Sequence, residues 1–439
     1  MPRMWGTLAG AMVAAAGSLA VVSSGAAVAS AAPAAVPFAI PLGAVPGAKP
    51  PTIAQCKAQF GVPCYGPAQI RAAYDMASLY KAGHEGQGKT IVLVDAFGSP
   101  SIKSDLAGFD KGFGLPAPPS FKIITPVGKP GTNSDWAGET TLDVEWAHAM
   151  APKANILLAE TPKNETIGTA GFPQIVKAEE FVLNHKLGDV ISQSFGAAEQ
   201  TFPSAKSIMG LRGAYTLAAK DKVSVLASSG DAGASSPSDA SQSTFFTKRV
   251  VNWPASDPLV TGVGGTQLHL NQSGARTAPD NVWNDTQLAG GPASGGGGAS
   301  TVFPRPAFQK SVSSVTGNHR GVPDVSLSAA IDGAAIIYLS GSFTLVGGTS
   351  WASPTFAGIV AIADQVAGHD LGDLNAALYK LGPGSAGLPD ITRGNNTVAF
   401  SQGGKSHVVK GFTAVKGYDL SSGLGTVNGA KLVAALAKS

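Results

Sequence analysis

Residues 346–354 read VGGTSWASP, and TFAGIVAIADQVA follows directly at 355–367. A turn of small residues delivers Ser350 to the start of a helical run, with Pro354 just inside it. The first turn of a helix leaves backbone N–H groups unpaired and carries the positive end of the helix dipole, so it suits a nucleophile or an anion. The same position suits an ordinary N-cap, for which serine is among the favoured residues. A nucleophilic serine needs a base, an orienting group and an oxyanion donor from elsewhere in the chain. The surrounding sequence decides between the two readings.

Outward from this stretch the chain alternates apolar strand candidates with helical ones. The strands are TIVLVDAF (90–97), ANILLAE (154–160), DVISQSF (189–195), VSVLASS (223–229), LVTGVGG (259–265) and AAIIYL (334–339). Helical runs are AQIRAAYDMASLYKAG (68–83), ETTLDVEWAHAM (139–150), FPQIVKAEEFVLNHK (172–186), MGLRGAYTLAAKD (209–221) and the run after Ser350. The pattern predicts an α/β fold, a parallel sheet with helices on both faces in one large domain. Sites in such folds form at the carboxyl ends of strands, where Asp95, Phe195 and Asp231 fall.

With 439 residues, 44% apolar and only 13% charged, the chain can bury a large core, and its net charge of +3 is small. Without a Lys/Arg cluster or zinc-type Cys/His spacing, nucleic acid is not an expected partner. Residues 1–31 have Arg3, an apolar stretch and Ala29-Ser30-Ala31, the three-part form of a secretory signal peptide. No other segment is apolar and long enough to span a bilayer, so a secreted, extracellular monomer without a membrane partner is expected once the signal is cleaved. Residues 32–51 are Ala/Pro-rich and read as a linker or short pro-segment before a domain at 52–439. Cys56 and Cys64 form a close pair, which in an exported chain reads as a small-loop disulfide. GPASGGGGASTVFPRP (291–306) reads as a loop within the domain.

None of the seven histidines opens a His-Gly-Thr helix start, and all read as surface or turn residues, His148 among them. Glu139 and Asp143, four apart on one helix, share a face. Two carboxyls at that spacing disfavour each other's ionisation and can share a proton, which suits a base with its orienting partner. They also suit a solvated acidic face near a helix N-terminus. Glu145, well round the helix, reads as surface. Asp231 follows a strand in VSVLASSGDAGAS, where a protonated acid could donate to an oxyanion, or an Asx turn could form.

Taken together, GETTLDVE (138–145), SSGDAG (228–233), WPASDPLVTGVGGT (253–266), SGGGGASTVFPRP (294–306) and GGTSWASP (347–354) resemble the sedolisin, or serine-carboxyl, peptidases, a subtilisin-like fold. The blocks occur in that family's order and the resemblance runs from about Cys56 to Leu436. It implies Ser350 as nucleophile, Glu139 as general base, Asp143 as the acid coupled to it and Asp231 as the oxyanion-hole acid. It implies Asp95 as a supporting acid at the end of the first strand, where close relatives carry Glu. It also implies one calcium ion held by Asp390, Asp419 and the carbonyls of Ile391, Val415 and Gly417. The expected function is acid-active hydrolysis of peptide bonds in protein or peptide substrates through an acyl-enzyme on Ser350. The alternative is a catalytically silent secreted binding protein on the same scaffold. A Ser-His-Asp hydrolase using Asp95 lacks a suitable histidine. Three features depart from the family pattern: the short stretch before the domain where members carry a long folded pro-segment, Asp95 in place of Glu, and Phe195 where many members carry Trp, a change expected at the cleft wall.

Overall fold

The computed structural model describes residues 40–45, 47, 49–164, 171–239 and 241–439, so the signal-like stretch lies outside the described residues. An eight-stranded sheet runs in the order Asn281–Val282, Thr261–Gln267, Ser224–Ser228, Val190–Gln193, Thr90–Ala96, Asn155–Thr161 and Phe121–Ile124, with Val325–Ser328 also paired to Thr261–Gln267. Every pairing in it is parallel except that of Asn281–Val282. The strand Thr90–Ala96 shows why these runs are apolar throughout. Ile91 and Leu93 join the core on one face, and Val92 and Val94 the core on the other, because successive side chains point to opposite faces.

The run 334–339 does form a strand, but outside the central sheet. Ala334–Leu339 and Ser342–Gly347 make an antiparallel hairpin in a second, four-stranded sheet. Ser340 (φ 50°) and Gly341 (φ 83°) turn the chain between them, the left-handed two-residue turn that matches strand twist. An apolar run signals burial on both faces and carries no information about which sheet it joins. The reading of 32–51 as linker is corrected in part. Ile40–Val45 is a strand paired antiparallel to Ser342–Gly347, its alternation masked in sequence by Pro41 and by a bulge at Gly43 (φ 129°). The helical run 68–83 divides into Pro67–Ala73 and Ala77–Lys81 around Asp75, at φ 56°.

Two helices position the site. Ser134–Met150 is capped by Asn133, whose side chain accepts from the amides of Asp135 and Trp136. Thr349–Ala367 crosses it closely, with Trp146 and Trp351 edge to face at 4.9 Å between centroids. A Cβ on Gly358 would lie 2.5 Å from Met150 Cβ, so this approach requires glycine.

From Glu139 to Met150 the helix Ser134–Met150 is buried on all sides, and this overturns two expectations. Glu145 is fully buried and its Oε2 accepts from the Tyr338 amide at 2.9 Å. His148 is also fully buried, its Nε2 2.8 Å from the Pro116 carbonyl and 3.1 Å from Asp110 Oδ1. Their angle to Glu139 on the helix points to surface placement. That inference fails because the second sheet covers Glu145 and the helix Ile102–Phe113 with the loop after it covers His148. The Cys56–Cys64 disulfide is present.

Candidate active site

Ser350 lies in the first turn of its helix and is fully buried, with Gly348 at the cap in a conformation (φ 133°) that disfavours any side chain. Pro354, four residues on, has no N–H to bond the Ser350 carbonyl. Ser194 fills that gap: its Oγ is 3.3 Å from the Ser350 carbonyl and 2.7 Å from Asp143 Oδ1. The Ser350 hydroxyl in turn donates to the Ser194 carbonyl at 3.3 Å. Ser194, just past the end of Val190–Gln193, thus ties the serine to the acidic helix.

On that helix Glu139 and Asp143 are both fully buried. Burial pushes the Asp143 carboxyl well up from the usual range, and the charges of Asp95 and Glu139 push the same way, while the Ser194 hydroxyl opposes them. Asp95, at the end of Thr90–Ala96, is buried beside Thr140 and Asp143. Desolvation raises its carboxyl to about 7, with Glu160, its register partner on the next strand, adding to the rise. These are carboxyls arranged to hold protons between them.

Asp231 is held by Thr349, the residue before Ser350. Its Oδ1 accepts from both the amide (2.8 Å) and the hydroxyl (2.7 Å) of Thr349, and the Gly230 amide donates to that same hydroxyl at 3.1 Å. Its Oδ2 is buried with no hydrogen-bond partner. Desolvation raises this carboxyl to about 8, against the pull of the Thr349 donors. A neutral Asp231 therefore carries its proton on Oδ2, as a buried donor lacking an acceptor.

The chain is similar to kumamolisin from Bacillus sp. (strain MN-32), 32% identical over 87% of this chain and 65% of that one. It is 28% identical to sedolisin from Pseudomonas sp. (strain 101), over 84% of this chain and 61% of that one. A solved Pseudomonas sedolisin, described as a serine-carboxyl proteinase complexed with two molecules of pseudo-iodotyrostatin, superposes with a TM-score of 0.73 at 27% identity, covering 86% of this chain and 99% of that one. The chain belongs to the sedolisin family. The subtilisin-like α/β fold expected from the sequence is borne out. No family model matches the chain. As a sedolisin-family chain it spans under two thirds of the length of these curated relatives.

Two residues of the site carried no sequence signal of their own. Ser194 stands in SQSFG and Thr349 in GGTS, both readable as strand-end or cap residues; only their contacts show what they hold. Phe195 is fully buried between Trp136 and Phe172, at 6.5 and 6.3 Å between ring centroids. It therefore backs the acidic helix and does not line an open cleft wall.

The loops expected to hold calcium do meet. Asp390 Oδ2 accepts from the Gly417 amide at 2.8 Å, and Asp419 Oδ2 from the Val415 amide at 3.1 Å. Asp419 Oδ1 accepts from the amides of Ser421 and Ser422, both at 2.9 Å. Asp390 Oδ1 is buried with no protein donor. Among the described residues no group of three or more His, Cys, Asp or Glu gathers as a metal site. Two carboxylates remain here, one with a buried oxygen unclaimed, and this donor set fits a hard cation completed by carbonyls and water. No helix among the described residues is long and apolar enough to cross a membrane.

Proposed function

We propose that this chain is a secreted serine-carboxyl peptidase that hydrolyses peptide bonds in protein or peptide substrates in acid. The observation that carries the reading is Asp231, pinned through Oδ1 by Thr349, the residue before Ser350, and left with a buried, unpartnered Oδ2. A carboxyl held neutral in this way is a preorganised hydrogen-bond donor for an oxyanion.

In this mechanism the Ser350 hydroxyl turns from the Ser194 carbonyl to Glu139. Its Oγ attacks the scissile carbonyl carbon while Glu139 takes the proton. The carbonyl oxygen becomes an oxyanion and accepts from Asp231 Oδ2–H. Collapse of this intermediate breaks the C–N bond, and the proton on Glu139 passes to the leaving amine. Water then attacks the acyl-enzyme with Glu139 again as base, and the product acid and free Ser350 are regenerated. Asp143, fixed by Ser194 and coupled to Asp95, orients Glu139 and shares its proton. A neutral Asp231 is available throughout acid solution and up to about 8, so its ionisation sets the upper limit of the working range.

Calcium at Asp390 and Asp419, with the carbonyls of Ile391, Val415 and Gly417, would be a structural ion offsetting the repulsion of two carboxylates. Asp390 and Asp419 would thereby tie their two loops together.

The test is peptide release from a denatured protein between about pH 3 and 8, run beside Ser350→Ala and Glu139→Gln. Acid-peaked release lost in both variants supports the mechanism. Release surviving Glu139→Gln overturns the base assignment, and no release at any pH favours the silent binding scaffold.

A further inference from the structure

We infer that Ile40–Val45 is an intramolecular strap that fixes the strand leading into Ser350, with Ile40 and Leu42 as its positioning residues. The consequence for turnover rests on the peptidase reading, whereas the mechanical claim does not.

The strand Ser342–Gly347 runs through Gly348 directly into Thr349 and Ser350. Along its outer edge lie residues 40–45, with Ile40 opposite Gly347 and Pro41 opposite Val346. The strap therefore reaches to within three residues of the serine. The other edge of the hairpin is also held by the N-terminal segment, since Cys64 and Tyr65 pair with Ala334 and Ala335. The sheet order places the two N-terminal strands on opposite sides of the hairpin, like the jaws of a clamp. Both jaws share a small core in which Val45, Cys56 and Cys64 meet Ile336, Phe343 and Leu345.

The side chains of the strap point at the site's foundations. Ile40 and Leu42 pack on a cluster of Trp283, Ala293 and Ala329–Ile331. That cluster supports both halves of the site. On one side the Gly348 amide donates to the Ala329 carbonyl at 2.6 Å, and a Cβ on Gly347 would lie 3.0 Å from the Ile331 amide nitrogen. On the other side Ser294, next to Ala293, donates its amide to the Asp231 carbonyl at 2.9 Å. Asp285 locks the cluster by accepting from Trp283 Nε1 and the Ile331 amide, both at 2.7 Å. A contiguous set of packed and hydrogen-bonded groups thus connects the strap to Gly348 and to the Asp231 loop.

Gly43 sets the register. It sits at φ 129° in the bulge, and its Cβ would meet Phe60 of the neighbouring helix at 3.5 Å. A branched side chain there disfavours the bulge backbone, and so frees the strap while leaving Ile40 and Leu42 unchanged. A two-jawed grip of this kind lowers the frequency of local opening at the hairpin edge. It contacts no substrate and no reacting atom, so its effect is on geometry: a small displacement of a nucleophile costs rate far more than binding.

The test compares Gly43→Val, Ile40→Ala/Leu42→Ala and the conservative Leu42→Ile with the parent protein by amide hydrogen exchange and peptide-release kinetics. Exchange at residues 342–350 rises about tenfold in the first two, with Thr90–Ala96 and Thr261–Gln267 unchanged, and stays at parent level in Leu42→Ile. In the same two variants kcat falls about tenfold with KM within about twofold. Unchanged exchange at 342–350 in both disruptive variants overturns the strap. A parent protein that releases no peptide, but shows the exchange pattern, keeps the strap and sinks the peptidase reading alone.

Discussion

Thr349 grips Asp231 twice, through its amide at 2.8 Å and its hydroxyl at 2.7 Å, both on Oδ1. The residue before Ser350 thereby orients the Asp231 carboxyl. Both donors favour the ionised carboxyl, and burial outweighs them, so the group is neutral until about 8. The Thr349 contact sets the geometry, and burial sets the protonation.

This makes Asp231→Asn the sharpest probe of the pH limit. An asparagine can present an amide donor where Oδ2–H stood, and it does not titrate. The alkaline limb attributable to Asp231 is lost, while the maximum rate falls because a neutral amide is a weaker donor, by about 10- to 1000-fold. A pH–rate profile of the variant that keeps the parent's alkaline limb refutes the assignment.

Ser194→Ala removes one hydroxyl from two partners, Asp143 Oδ1 and the Ser350 carbonyl. The hydroxyl stabilises the ionised form of Asp143, so its loss raises that carboxyl further. Hydrogen bonds to a charged group contribute about 1.5–3 kcal/mol, which corresponds to a fall in kcat/KM of about 10- to 150-fold. The limb of the profile set by the acidic helix moves to higher pH. Steady-state kinetics across the acid range decide it; a uniform drop with no shift makes Ser194 a packing residue.

Much of this fold is legible in the sequence because apolar strands and Gly-rich strand ends are local signals. Thr90–Ala96 and the turn into Ser350 are read with nearly their observed bounds. What escapes is set by partners distant in sequence. Glu145 is buried by the hairpin, whose Tyr338 lies 193 residues away, and His148 meets Pro116 and Asp110 from the preceding helix and loop. Ile40–Val45 escapes because two Pro/Gly positions hide its period, although its register with Ser342–Gly347 is well defined. Ser194 and Thr349 are common residue types whose roles exist only as contacts.

Asp390 carries the calcium prediction. Its Oδ1 is buried without a protein donor while Oδ2 is held by the Gly417 amide. Chelation with EGTA lowers the melting temperature and increases proteolytic nicking at the 415–423 loop, and added calcium reverses both. Asp390→Asn starts from the lowered value and no longer responds to chelator. A parent protein whose melting is indifferent to EGTA and calcium rules the ion out.

Glu179 gives a stability test independent of catalysis. It is fully buried in Phe172–Asn184 with neither carboxyl oxygen hydrogen-bonded. Desolvation, and then the charge of Glu180, raise it to about 8. A carboxyl raised in the folded state binds a proton that the unfolded chain has already released, so stability falls as pH climbs from the unfolded value of about 4.3 towards 8. Below that window the group contributes no penalty. Glu179→Gln removes the ionisation and leaves the shape, so the loss of stability between about pH 4.5 and 7 shrinks by roughly 3 kcal/mol. Urea unfolding at the two pH values, carried out in a Ser350→Ala background to prevent self-digestion, measures it. An unchanged pH slope means Glu179 stays ionised in the folded protein and finds its partner there.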